Sequence, residues 1–197
     1  MLNTQFTSHF IGLKLKENAF LKLFLQLKKY ISENSLQKAL YLVDPQTLHI
    51  TLYYLDKSLS PREIFFIKNF LESHQEIFFI SIGALRFFSE KKILKVGYIP
   101  LLNNQNFSAL NHILKENIVH NHIIDNSFDS IFHCTLFRIQ NPTLFMKHQE
   151  NIEKIINIFV SEKNKVLVEG MYLYGVDSTF HPEKYYIYNL EEIIINQ

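Results

Sequence analysis

The stretch LHITLYYL, Leu48 to Leu55, is written a second time, nearly letter for letter, as FHCTLFRI, Phe132 to Ile139. Each copy runs apolar, His, apolar, Thr, Leu, aromatic. A chain that spells one pattern once in each half is constrained to fold as two related units, and the flanking segments extend the match. With His49 and His133 as anchors, and shifts of only a few residues, HFIGLKLKEN falls opposite ILKVGYIPLL, each an alternating apolar run with one Gly near the middle, Gly12 and Gly97. Downstream, ISIGALRFF matches VLVEGMYLY, which aligns Gly83 with Gly170. The repeat spans about residues 9–88 and 93–190 of a single bilobal domain, 1–197.

Between these alternating runs lie segments of helical period. AFLKLFLQLKKYI sets Phe20, Leu23, Phe24 and Leu27 on one face. SPREIFFIKNFLESH opens with Ser60 as N-cap, Pro61 at the first helical position and Glu63 three residues after the cap. NFSALNHILKENIVH and PTLFMKHQENIEKIINIFV carry the same period. Each half therefore reads strand, helix, His-x-Thr strand, helix, strand, with a hairpin partner after it. The expected architecture is α+β: two pseudo-symmetric lobes, antiparallel or mixed sheets lining a central cleft, helices outside. A doubly wound parallel fold is disfavoured because no Gly-rich turn follows the first strand.

Size and charge narrow the function. At 47% apolar residues, 18 of them Phe, the chain can build a sizeable core. A net charge of +1 argues against a long basic groove for duplex nucleic acid but not against a pocket for one or two phosphates. The single Cys134 forms no intramolecular disulfide. The N-terminal stretch is too polar for a signal peptide, and IFFISIGAL is too short to span a bilayer. The expectation is a soluble cytoplasmic protein acting as a monomer, with no membrane and no obligatory protein partner.

Side chains alternate along a strand, so His49, Thr51 and Tyr53 are expected on one face and Ile50, Leu52 and Tyr54 on the other. In the second copy His133, Thr135 and Phe137 share a face, opposite Cys134 and Leu136. Two imidazoles and two hydroxyls around one space suit metal-free cleavage of a phosphodiester. One His, neutral, takes a proton from the nucleophile; the other gives one to the leaving oxygen. The threonine hydroxyls donate to the non-bridging phosphate oxygens. Arg138, five residues after His133, falls on the core side by strict alternation. A twist or bulge at the strand end is therefore expected, bringing its guanidinium to the phosphate.

The paired motifs HITL and HCTL, set in a repeat that covers nearly the whole chain, resemble the two-histidine phosphoesterase superfamily, in its LigT-like branch of RNA 2′,3′-cyclic phosphodiesterases, also called 2′-5′ RNA ligases. The opening FIGLKL, the run DPQTLHITLYYL and the closing MYLYGV…YYIYNL carry the same resemblance. It implies His49 and His133 as the acid–base pair, Thr51 and Thr135 as phosphate ligands and Arg138 as a further phosphate contact. It also implies opening of cyclic phosphates on RNA or oligonucleotide ends to 2′-phosphates, with no cofactor and no metal. Phe132 directly before the second His and Tyr53 two after the first Thr depart from the family pattern. The alternatives are a 2′-5′ oligoadenylate or signalling-nucleotide phosphodiesterase, and an RNA-binding module without turnover.

The remaining candidates read more plainly. His112, His120 and His122 are expected to be solvated, and a zinc site is set aside because the ligand set is incomplete. His74 and His148 are expected to face water on amphipathic helices, and His181 to sit at the cleft mouth. Cys134 reads as buried. Tyr53, Phe137, Tyr172 and Tyr174 are packing residues or base-stacking ones. Lys14 and Lys95 read as solvated charges.

Overall fold

The computed structural model describes residues 6–16, 18–55, 59–75, 77–102, 105–119, 132–177 and 185–187. Along the chain these form β1 (Phe6–Leu15), α1 (Leu21–Glu33), β2 (Leu40–Leu42), β3 (His49–Leu55), α2 (Pro61–Ser73), β4 (Phe78–Ser81), β5 (Arg86–Glu90) and β6 (Ile93–Pro100). There follow α3 (Gln105–Leu114), continued by a π-helical turn at Lys115–Val119, then β7 (His133–Ile139), α4 (Pro142–Met146), α5 (Gln149–Glu162), β8 (Lys165–Asp177) and β9 (Tyr185–Ile187). Among the described residues no helix is long and apolar enough to cross a membrane.

The strands make one open sheet in the order β4-β8-β1-β3-β7-β6-β5, with β2 beside β7 and β9 beside β8. Every strand pairing among the described residues is antiparallel. The two His-x-Thr strands, β3 and β7, meet at the centre through the single pair Ile50↔Cys134. Outward from them the two sides mirror each other: β3-β1-β8 on one, β7-β6-β5 on the other. Each half of the chain lends its last strand to the other half's sheet, β8 to β1 and β5 to β6.

The helices bury their apolar stripes against the sheet. The buried residues are Leu23, Leu27 and Ile31 in α1, Ile64, Ile67 and Leu71 in α2, and Ile152, Ile156 and Phe159 in α5. They join Ile50, Leu52, Cys134 and Leu136 of the central strands in one core. α2 starts as expected: Ser60 and Glu63 form a reciprocal capping box, with Pro61 in the first turn. The helical pattern from Pro142 to Val160 is broken in two. At the break, His148 stands at the N-terminal boundary of α5, where its side chain makes no capping bond; its Nδ1 pairs instead with the Tyr30 hydroxyl at 3.0 Å. His148 is therefore half-buried rather than turned to water. His74 is likewise half-buried at the end of α2, stacked on Phe70, its Nδ1–H donating to the Phe70 carbonyl at 2.8 Å. Both rings sit at helix ends; His74 is drawn in by an orphan backbone carbonyl, His148 by the Tyr30 hydroxyl.

Candidate active site

Ile50 and Cys134 are fully buried against the helices. Their neighbours His49 and Thr51, and His133 and Thr135, therefore project from the opposite face of the sheet, and all four are half-buried there. Carried one residue either way, the Ile50↔Cys134 register sets His49 across from Thr135 and Thr51 across from His133. The four side chains occupy the corners of a small rectangle, with the imidazoles on one diagonal and the hydroxyls on the other. Diagonal neighbours of this kind stand about 7–8 Å apart.

Beyond each Thr the strand bulges, and the two bulges are equivalent. Against β1, Thr51 pairs with Gly12 and Tyr53 with Ile11, so Leu52 is the extra residue. Against β6, Thr135 pairs with Tyr98 and Phe137 with Gly97, so Leu136 is extra. A bulge reverses the facing of everything after it. Tyr53 consequently turns to the helix side, beside buried Ile11, and its hydroxyl donates to Asn111 of α3. Burial pushes that phenol up to about 12. Its expected place on the His face is taken by Tyr54, paired with Phe10. In the second copy Phe137 turns into the core, against Phe87 and Phe145. Arg138 comes round to the His face, paired with Val96, which in turn pairs with Phe88 beside His133. At this equivalent position the halves thus differ in charge, Tyr54 against Arg138.

Each imidazole abuts two aromatic rings that stack on each other. His49 lies 4.9 Å from Phe10 and 5.3 Å from Tyr174, themselves stacked at 4.7 Å. His133 lies 4.8 Å from Phe88 and 5.0 Å from Tyr98, stacked at 4.1 Å. Phe10 on β1 and Tyr98 on β6 hold corresponding strands, as do Tyr174 on β8 and Phe88 on β5. Of these four rings only Tyr174 stands out in the sequence. The others are set by which strand pairs with which, information that alternation alone does not carry.

His49 is oriented by the chain just before it. Asp44 caps the 3₁₀ turn Pro45–Thr47, accepting from the Gln46 N–H at 2.9 Å, and the Thr47 hydroxyl donates to the Asp44 carbonyl. The turn aims the Thr47 carbonyl at His49 Nδ1, 2.8 Å away. A carbonyl only accepts, so Nδ1 carries the proton and Nε2 is the basic nitrogen of the neutral ring. Burial, chiefly, lowers the His49 pKa to about 4; the Thr47 bond opposes this and the charge of His133 adds to it.

Cys134 is buried, and burial pushes its thiol up to about 12, far from thiolate chemistry. Lys14 lies across from His49 on the same face and pairs with Glu169 at 3.6 Å. Lys95 is exposed, 3.8 Å from Glu90. His112 is exposed on α3, one turn from Glu116 at 4.0 Å, a carboxylate at i+4 that completes no ligand set by itself. His120, His122 and His181 lie outside the described residues.

No family model and no curated protein matches the chain. Solved structures do. TT0787 of Thermus thermophilus superposes with a TM-score of 0.63 at 15% identity, over 92% of this chain and 95% of that one. E. coli LigT complexed with 3′-AMP gives 0.60 at 12% identity, over 93% and 95%. A protein described as a phosphoesterase gives 0.58 at 13%, over 93% and 96%. At such identities the likeness is one of architecture, and by that architecture the chain has the fold of the two-histidine phosphoesterases.

Proposed function

We propose that the chain is a metal-independent phosphodiesterase that opens 2′,3′-cyclic phosphates at RNA or oligonucleotide ends to 2′-phosphates. The observation that carries this reading is the diagonal disposition of the two imidazoles, with two hydroxyls on the other diagonal and a guanidinium on the same face. In-line displacement at phosphorus needs a base and an acid on opposite sides and hydrogen-bond donors around the equator. His49, neutral with Nε2 basic, takes the proton of a water as its oxygen attacks phosphorus. The bond from phosphorus to the 3′-oxygen breaks, and protonated His133 delivers its proton to that oxygen. The product carries a 2′-phosphate and a free 3′-hydroxyl. Thr51 and Thr135 donate to the non-bridging oxygens, and Arg138 offsets their charge. The negative phosphate, once bound, favours the imidazolium at His49 and so makes it a stronger base than in the empty site. With a 5′-hydroxyl in place of water as the nucleophile, the same groups would join two ends through a 2′-5′ linkage: His49 takes the hydroxyl proton, the bond to the 3′-oxygen breaks and His133 protonates it. The structural likeness to LigT, solved with a mononucleotide, supports a nucleotide-sized site.

The test is hydrolysis of an RNA ending in 2′,3′-cyclic phosphate beside a 2′-5′-linked oligoadenylate, with the products resolved by ³¹P NMR. A 2′-phosphate product from the first substrate, at the higher kcat/KM, is the expected result. A 3′-phosphate product, or preference for the 2′-5′ linkage, would replace this reading.

A further inference from the structure

Away from the histidines, on the same face of the sheet, lies a cavity of about 330 Å³ at the open ends of β1, β4 and β8. Lys16, Lys163 and Lys165 stand around it, with Phe79 and Leu167 between them. The register fixes its facing. Phe78 and Ile80 pair with Val168 and Val166, all four buried against the helices, so Phe79, Leu167 and Lys165 turn to the other face, the one that bears His49. Phe79 is 62% exposed there, a large apolar ring open to solvent. Lys163 is held in place, its ammonium donating to the Ala19 carbonyl at 3.1 Å.

Among the described residues, the carboxylates near this cavity are engaged elsewhere. Glu162 pairs with Lys22 at 2.9 Å, and Glu169, between the cavity and the histidines, pairs with Lys14. Among the described residues no ion pair involves Lys16, Lys163 or Lys165. Lys14, beside His49, pairs across the sheet with Gly170, and Lys165 is five residues back along the same strand. The cavity's lining on this strand, Leu167 to Lys165, therefore begins about 10 Å from the His49 row and ends about 16 Å from it, at about 3.3 Å per residue. A cyclic phosphate sits at the 3′ end of its RNA, so the rest of that strand must leave the site on the 5′ side.

We propose that the 5′ portion of a single-stranded RNA runs from the histidines along β8 to this cavity, where the three lysines hold its phosphates and a base stacks on Phe79. A row of ammonium groups interleaved with an exposed ring is how sequence-tolerant single-strand sites are built. The cavity's volume, near the lower end of ligand pockets, suits one nucleotide. The inference rests on the phosphodiesterase reading and adds to it the path of the RNA's 5′ portion and the residues that hold it.

Two measurements test it on the full chain. In the first, a fluorescein-labelled RNA of about ten nucleotides ending in a 3′-phosphate is titrated by anisotropy against wild type, the Lys163→Glu/Lys165→Glu double variant and Phe79→Ala. The double variant is expected to raise Kd at least about tenfold and Phe79→Ala about fivefold or more. Replacing both lysines by neutral Gln should flatten the slope of log affinity against log salt by about 1.4. In the second, the ratio of kcat/KM for that RNA in its 2′,3′-cyclic form to kcat/KM for a cyclic-phosphate dinucleotide is expected to fall about tenfold in the double variant. An unchanged Kd in both variants overturns the proposal, as does an unchanged ratio. If wild type turns over neither substrate yet the variants weaken RNA binding, the cavity's role stands and the phosphodiesterase reading fails.

Discussion

A single proton on His49 sets much of the proposed chemistry. The Thr47 carbonyl fixes it at Nδ1, and burial keeps the ring neutral down to about pH 4. If His49 is the base proposed, the acidic limb of kcat/KM should therefore fall near pH 4, well below the ordinary imidazole value of about 6.5. A limb at 6.5 or above would contradict the neutral, buried base. The same shift is a stability statement. Between about pH 6.5 and 4 the unfolded chain binds a proton at His49 that the folded chain refuses, so stability falls as pH falls through that window. The loss reaches at most about 3 kcal/mol. Urea titrations at pH 7 and pH 4.5 should show it, and His49→Gln should lessen it; an equal loss in the variant would assign it to other groups. At this scale the sequence was most legible. His49, Thr51, His133 and Thr135 announce themselves by repetition and alternation. Phe10, Phe88 and Tyr98 do not, because they touch the imidazoles only through pairings between distant strands.

Two bulges set the facing of the residues beyond each His-x-Thr motif. By alternation Tyr53 and Phe137 belong on the His face and Arg138 in the core. One extra residue in each strand, Leu52 and Leu136, reverses all three placements. Arg138 could be anticipated because an unpaired guanidinium in a core is costly. Tyr53 could not, since a tyrosine is at home on either face and its hydroxyl found Asn111. The second bulge is held by Gly97, where an added Cβ would overlap the Phe137 ring directly. Gly97→Val should thus destabilise the fold by about 1–3 kcal/mol. It should also lower kcat/KM, because displacing Phe137 moves its neighbour Arg138. Wild-type activity in a destabilised variant would show that Arg138 is not positioned by this packing.

The whole molecule is a repeat whose halves are interlaced. Self-similarity made the two units legible, and the α+β architecture with them. It could not reveal that β8 completes the sheet of β1 while β5 completes that of β6, because period says which segments are alike and not whose edges they fill. This exchange makes each half depend on the other. Residues 1–91 alone would leave the β8 side of β1 unpaired, and residues 92–197 alone would leave one side of β6 bare. Neither fragment should show a cooperative thermal transition by circular dichroism, whereas an equimolar mixture should recover one; a fragment that melts cooperatively alone would refute the interdependence. The interlacing also brings one His from each half to the centre, and the proposed chemistry depends on that convergence. Its most direct test is hydrolysis of an RNA 2′,3′-cyclic phosphate in excess EDTA by wild type, His49→Ala and His133→Ala. Wild type should keep full activity under chelation, and each variant should lose about 10²–10⁴-fold in kcat while remaining folded. Loss of wild-type activity on chelation, or full activity in either variant, would contradict it.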